Sequence, residues 1–247
     1  MKHDSIVVAE TDNELSAIYC EYLAQITEDV ISRIGFASVA LSGGSTPDMI
    51  FNKLVSEYEN AIDWSKIILF WTDERCVPPD DPQSNYGRAK ELLIDRTGIP
   101  PQNIFRIRGE DDPHEEAIRY SQLIEANIRV SRNLPCFDLI MLGVGEDGHT
   151  ASIFPGQEYL FDTEMLTAVS VNPNNSQTRI TLTGRLINNA SNISIIATGS
   201  KKAQIISDVF NANGDNVLLP VQLVKPAHGK LTWFLDNEAA KKISIQS

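Results

Sequence analysis

The feature that most constrains this chain is a repeated change of period. Short apolar runs rich in β-branched residues alternate with segments whose apolar residues recur every three or four positions. An unbroken apolar run of four to six residues suits a strand buried on both faces, and the longer period suits an amphipathic helix. Residues 6–9, 38–41, 67–71, 137–142, 179–183, 193–198 and 231–235 read as strands. Thr11 and Glu14 make a capping-box pattern ahead of the stripe Leu15, Ile18, Tyr22, Ile26 and Val30. Thr46 is placed to cap, and Pro47 to be the first residue, N1, of a helix carrying Ile50, Phe51, Leu54 and Tyr58. Further helices are expected after Ser84, from Pro113 towards Val130, over residues 200–210, and after Asp236 as a cap. This alternation predicts an α/β fold: a mostly parallel twisted sheet, Rossmann-like and doubly wound, with helices on both faces. No linker or repeat period divides the chain, so residues 1–247 are expected to form one domain.

Charge then removes whole classes of function. The 21 Lys and Arg stand against 33 Asp and Glu, a net charge of −12. Broad electrostatic binding to nucleic acid or to an anionic membrane needs the opposite balance. An anionic ligand must instead be held by locally gathered cations. The three cysteines, Cys20, Cys76 and Cys136, are scattered and form no CxxC pair. They read as idle thiols of a reducing compartment rather than as metal ligands. The N-terminal apolar run is too short for a secretory signal, and no apolar stretch is long enough for a bilayer. The cytoplasm is the expected location, and a monomer the expected state.

In such sheets ligands bind beyond the carboxyl ends of the strands, and three polar loops fall there. Ser42-Gly43-Gly44-Ser45-Thr46-Pro47 lies between a strand and a helix start. Its glycines let backbone N–H groups converge, Ser45 and Thr46 add hydroxyls, and the helix dipole favours an anion. It is neither a Walker A loop nor a nucleophile elbow, because the residues after Ser45 match neither. Asp73-Glu74-Arg75 follows the strand ending at Trp71. Asp73 suits a sugar hydroxyl and Arg75 a phosphate, although alone the triplet fits a solvated turn. Gly143-Val144-Gly145-Glu146-Asp147-Gly148 spells GxGxxG, yet Pro155 leaves no room for the dinucleotide-binding helix. The informative part is Asp147-Gly148-His149, an imidazole beside a carboxylate able to fix its tautomer and so to act as general base on water. No second cluster of His or Cys completes a metal site. Two cationic positions remain: Arg179 at the start of a strand, and Lys201-Lys202 at the start of a helix, where the dipole disfavours lysine unless an anion binds.

At these residues the chain resembles the 6-phosphogluconolactonases, within a superfamily that includes the glucosamine-6-phosphate deaminases. The segments LSGGSTP, WTDERCVP, SNYGRAKELL, DLIMLGVGEDGHTASIFPG, RITLT, TGSKKA and WFLD-x-x-A occur in family order. The resemblance implies a hydrolase that opens 6-phosphoglucono-δ-lactone, a small sugar-phosphate lactone, in the oxidative pentose phosphate pathway without metal or organic cofactor. It implies His149 as the general base, with Gly43, Gly44, Ser45, Thr46, Arg75, Arg179 and Lys202 as phosphate or substrate contacts. Lys202 rather than Lys201 occupies the family's Gly-x-x-Lys-Ala position. The run NPNNSQT before RITLT departs from the family's Pro- and Lys-rich pattern. Rival readings are a glucosamine-6-phosphate deaminase/isomerase and a non-catalytic sugar-phosphate sensor. The deaminases carry a glutamate shortly after the histidine, where this chain has Thr150-Ala151-Ser152-Ile153-Phe154-Pro155.

Overall fold

Six of the apolar runs pair into a single parallel sheet in the computed structural model of the protein, which describes residues 4–211 and 218–243. His3 lies outside the described residues. The strands are β1 (Asp4–Ala9), β2 (Ala37–Leu41), β3 (Ile67–Trp71), β4 (Asp73–Arg75), β5 (Val130–Ser131), β6 (Leu134–Pro135), β7 (Leu139–Gly143), β8 (Thr167–Val171), β9 (Thr178–Leu182), β10 (Asn192–Ala197) and β11 (Lys230–Asp236). The helices are α1 (Asp12–Ile34), α2 (Ser45–Glu57), α3 (Asn85–Leu92), α4 (Pro113–Asn127), α5 (Gly184–Ile187), α6 (Ala203–Phe210) and α7 (Asn237–Ala240).

The large sheet runs β1-β11-β10-β7-β2-β3, with every pair parallel. From β2 the chain winds outward to β3, then returns to β7 on the other side of β2 and winds the opposite way through β10 to β11. Parallel crossovers are right-handed, so this reversal sends α1 and α2 to one face and α4, α5 and α6 to the other. Burial agrees: all five residues of β2 are buried, as are the first four of β7. One core cluster extends from Ala9 to Ala240.

Local chemistry explains the helix ends. Thr11 caps α1 by accepting from Glu14 N at 3.1 Å, and Gly35 closes it in the left-handed region at φ 92°. The buried stripe of α1 is rotated from the expected one. Leu15, Tyr19, Leu23, Thr27 and Val30 are buried, whereas Ile18, Tyr22 and Ile26 flank them half-buried. The helix packs against α2 as well as against strands, so the buried face lies between those neighbours. The start of α2 also differs from expectation. It begins at Ser45 with Gly44 as the uncapped N-cap. Thr46 and Pro47 are the second and third helical residues rather than cap and first residue, and the Thr46 hydroxyl meets Thr198 Oγ1 at 2.8 Å. Helix α4 ends at Asn127, and Val130 opens β5 instead.

Residues 73–75 and 179–182 do not behave as expected of a loop and of a parallel strand. They pair antiparallel in a separate sheet, β4-β9-β8. The hinge is Thr72, which is fully buried. Its N–H donates to Leu41 O in the large sheet, and its carbonyl accepts from Leu182 N in the small one, both at 2.8 Å. The triplet therefore stays extended and paired because one residue shares its two backbone groups between sheets.

The opposite end of β2 and β7 is tied by a buried carboxylate. Asp138 Oδ2 accepts from Ser38 N at 2.9 Å and Ser38 Oγ at 2.7 Å, and Oδ1 accepts from Arg129 Nε at 3.0 Å. Replacing Asp138 with Ala strands a buried N–H and a guanidinium, so stability should fall by about 2–3 kcal/mol. Chemical denaturation measures this; an unchanged midpoint would show that the pairing of β2 with β7 does not need the bridge.

Candidate active site

The carboxyl ends of β2 and β7 lie side by side where the winding reverses, and the loops leaving them part to opposite faces. A cleft of about 340 Å³ opens there. Its walls come from five places that are distant in sequence. Ser42 and Gly43 follow β2; Asp73 and Arg75 are on β4; Gly145 and His149 are on the loop after β7; Arg179 is on β9 and Lys202 precedes α6.

The loop after β7 is built to hold the imidazole. No helix follows β7: turns occupy residues 146–156 up to a short 3-10 segment, Glu158–Phe161. The dinucleotide reading fails on that ground. Gly145 N donates to His149 O at 2.8 Å and Gly148 N to Gly145 O at 3.0 Å, with Gly148 at φ 83°. This tight ring brings His149 Nδ1 to 2.5 Å from Asp147 Oδ1. Burial alone would raise the Asp147 carboxyl, but the hydrogen bond and charge of His149 outweigh it and hold the group below its usual value. Asp147 is therefore ionised near neutrality and accepts a hydrogen bond from Nδ1–H, which leaves Nε2 as the basic nitrogen. The ring also packs on Phe154, centroid to centroid 4.7 Å.

The opposite wall is cationic. Arg75 and Arg179 are register partners across β4 and β9. Like charges placed directly opposite are unfavourable, and neither guanidinium has a carboxylate partner within salt-bridge distance among the described residues. Burial, then the Arg75 charge, push Arg179 below its usual value. The Nε atoms of both arginines are buried without a hydrogen-bond partner. Lys202 is half-buried and also unpaired, and burial pushes its amine down, whereas Lys201 is exposed. Three cations that line one cleft without a salt-bridge partner among the described residues make a site for an anion.

One buried carboxylate shapes this wall without lining the cleft. Glu74 is 2% exposed. It accepts from Arg75 N, Asn85 N and Tyr86 N at 2.7–2.8 Å and from Ser84 Oγ at 3.0 Å. Ser84 in turn caps α3 by accepting from Gly87 N at 3.0 Å. The first N–H groups of α3 are thus satisfied by strand β4 itself. Burial pushes the Glu74 carboxyl up, against those backbone donors.

Of the residues singled out in the sequence, Gly43, Asp73, Arg75, His149, Arg179 and Lys202 line the cleft together. Gly44, Ser45 and Thr46 stand outside its lining, at the start of α2, and Asp147 backs His149 rather than facing the opening. Four polar lining residues lay inside the segments singled out in the sequence but were given no role there: Ser42, Asn85, Ser152 and Asn172. Ser152 Oγ donates to Asp73 Oδ2 at 2.6 Å, which accounts for a carboxylate only 5% exposed. Asn172 begins the atypical NPNNSQT run, and its Oδ1 accepts from Asn174 N at 2.9 Å. Among the described residues no group of three His, Cys, Asp or Glu could hold a metal ion, and no helix is long and apolar enough to cross a membrane. Cys20, Cys76 and Cys136 are all free, with burial pushing the Cys20 thiol up to about 12.

Residues 10–233 match the family described as glucosamine-6-phosphate isomerases/6-phosphogluconolactonase. A 6-phosphogluconolactonase of Haemophilus influenzae is 41% identical over 204 residues, 82% of this chain and 86% of that one. One of Treponema pallidum is 46% identical over 171 residues, 69% of this chain and 71% of that one. The solved structure of a 6-phosphogluconolactonase from Trypanosoma brucei superposes with a TM-score of 0.89 at 30% identity, covering 98% of this chain and 99% of that one.

A Cβ at position 145 would collide with His149 Nδ1 and Asp147 Oδ1, which are side-chain atoms free to move rather than backbone. Gly145→Ala should therefore fold with nearly unchanged stability while forcing the Asp147–His149 pair apart. Proton NMR reads this as loss of the downfield Nδ1–H resonance of His149; its persistence would mean that the pair does not depend on the glycine.

Proposed function

The chain belongs to the glucosamine-6-phosphate isomerase/6-phosphogluconolactonase family and is one of its enzymes, and from that premise we propose that it hydrolyses 6-phosphoglucono-δ-lactone to 6-phosphogluconate with His149 as general base. The observation that carries the reading is the Asp147–His149 hydrogen bond, 2.5 Å long, at a cleft that His149 lines together with Arg75, Arg179 and Lys202.

The roles follow from the chemistry of each group. Arg75, Arg179 and Lys202 grip the phosphate, offsetting both their mutual repulsion and the chain's net charge of −12. The grip orients the lactone carbonyl over the loop after β7. A lactone carbonyl is already electrophilic, so an activated water suffices and no covalent nucleophile is required. His149 Nε2 takes a proton from the water as its oxygen bonds to C1, and Asp147 stabilises the imidazolium that results. Backbone N–H groups of the glycine loops are the candidate donors to the tetrahedral oxyanion. As the oxyanion collapses, the bond from C1 to the ring oxygen breaks, and His149 returns its proton to that oxygen. Asp73 accepts from a sugar hydroxyl, and Gly43, with Gly44, Ser45 and Thr46 behind it, shapes the loop beneath the ligand. The substrate is a free sugar phosphate of the pentose phosphate pathway in the cytoplasm, and a monomer holds all of the machinery.

His149→Asn should lower kcat for the lactone by roughly two to four orders of magnitude with little change in KM. The rate is measured after subtracting spontaneous hydrolysis, and a variant retaining near wild-type kcat would place the base elsewhere. The two lysines make a second, independent comparison. Lys202→Ala should raise KM roughly thirtyfold, the equivalent of about 2 kcal/mol for a charge-assisted contact, whereas Lys201→Ala should leave KM within about twofold. Equal effects would refute the assignment of Lys202 to the phosphate.

A further inference from the structure

Asn85 is the first residue of α3 and is 5% exposed, yet it lines the cleft. Both ends of its main chain and side chain are anchored. Its backbone N–H donates to Glu74 Oε1 at 2.8 Å, and its Nδ2 donates to the Asp73 carbonyl at 2.9 Å. A carbonyl oxygen can only accept, so the amide nitrogen must face Asp73 and the amide oxygen must face the other way. That oxygen, Oδ1, accepts from no protein group among the described residues, and it touches the position where a Cβ of residue 43 would stand. It comes this close only because residue 43 is glycine. An acceptor with no protein donor, held rigidly on a residue nine-tenths buried at the lining of the cleft, is free to take a hydrogen bond from a ligand there.

The chemistry of the ligand group follows by exclusion. The phosphate oxygens are ionised acceptors and belong against Arg75, Arg179 and Lys202, not against a second acceptor. Ester and carbonyl oxygens are acceptors as well. Only a hydroxyl can donate to Asn85 Oδ1. We propose that Asn85 is a specificity-determining residue: its Oδ1 accepts a hydrogen bond from one ring-carbon hydroxyl of the sugar phosphate, and Gly43 is what lets it reach. This rests on the sugar-phosphate reading of the site but adds the group that tells a hydroxylated substrate from a deoxygenated one. Glu74, by fixing the backbone at Asn85, is the positioning residue behind it. A site built around such a contact rejects a ligand lacking the hydroxyl, because the amide oxygen is then desolvated without a partner.

The test is calorimetric binding of 6-phosphogluconate and its 2-deoxy, 3-deoxy and 4-deoxy forms to the wild-type chain and to Asn85→Ala. Apart from any form that lacks the hydroxyl assigned to Asp73, the wild type should bind one of the three deoxy forms roughly tenfold more weakly than the parent. Asn85→Ala should bind the parent and that same form alike, both near the weaker affinity. The proposal is overturned if the wild type binds all three deoxy forms like the parent, a result that needs no variant and so stands even if Asn85→Ala fails to fold. It is equally overturned if Asn85→Ala weakens all four ligands by one common factor, which would mark a purely structural role. Hydrolysis of the parent lactone by the wild type is measured alongside; its absence would overturn the lactonase reading while leaving the binding comparison to judge Asn85.

Discussion

Everything at the cleft depends on the reversal of winding between β2 and β7. Two parallel strands hydrogen-bond as neighbours, but the chain arrives at them from opposite directions. Right-handed crossovers then force their outgoing loops to opposite faces. The gap left between the loops costs no hydrogen bonds in the sheet, because it begins where the ladder ends. It also brings residues of two glycine-rich segments, Gly43 and Gly145, to the lining of one cleft. At the other end of the same pair, Asp138 joins β2 to β7 with buried bonds to Ser38. The cleft is therefore open at the end where function needs polar groups, and sealed at the end where it does not.

The second sheet supplies what the first lacks. Parallel strands buried on both faces have no room for charged side chains, so the cations must come from elements that leave the sheet. Thr72 makes that departure without losing a backbone bond, since it belongs to both ladders. Beyond it, Asp73, Glu74 and Arg75 divide three tasks by alternation of side-chain direction and by partner. Asp73 and Arg75 line the cleft, whereas Glu74 turns away and holds the start of α3. The unfavourable pairing of Arg75 with Arg179 is an energetic cost built into the free protein. An anion seated between the two guanidinium groups would remove it.

The family motifs and the period-switching pattern made most of the architecture legible. The seven expected strands all exist, and Ser84 and Asp236, after which helices were expected, cap α3 and α7 through their own side chains. Where the reading departed from the structure, the reason was tertiary. Residues 73–75 look like a polar loop because a three-residue strand has too few positions to show alternation, and its pairing with β9 joins segments about a hundred residues apart. The stripe on α1 was rotated because α2 also covers that helix. Thr46 was expected to cap α2, but Gly44 takes that position and the hydroxyl turns to Thr198.

Some properties of this protein follow from the order of its residues alone. Apolar runs without alternation require a sheet covered on both faces, glycine and acid spacing sets His149 beside Asp147, and a charge of −12 obliges any anion to be held locally. These are matters of composition, period and short-range geometry, and a few neighbouring residues suffice to settle each. What the tertiary structure alone decided is which distant groups share the cleft. Asn85 sits in a segment that reads as an ordinary helix start; it faces the cleft because Glu74 anchors its backbone and Gly43 has no Cβ to exclude it. Arg75 and Arg179 become a pair only through the register of two antiparallel strands. Such contacts join residues that are far apart along the chain, and a linear pattern contains no term for the pairing that brings them within a few ångströms.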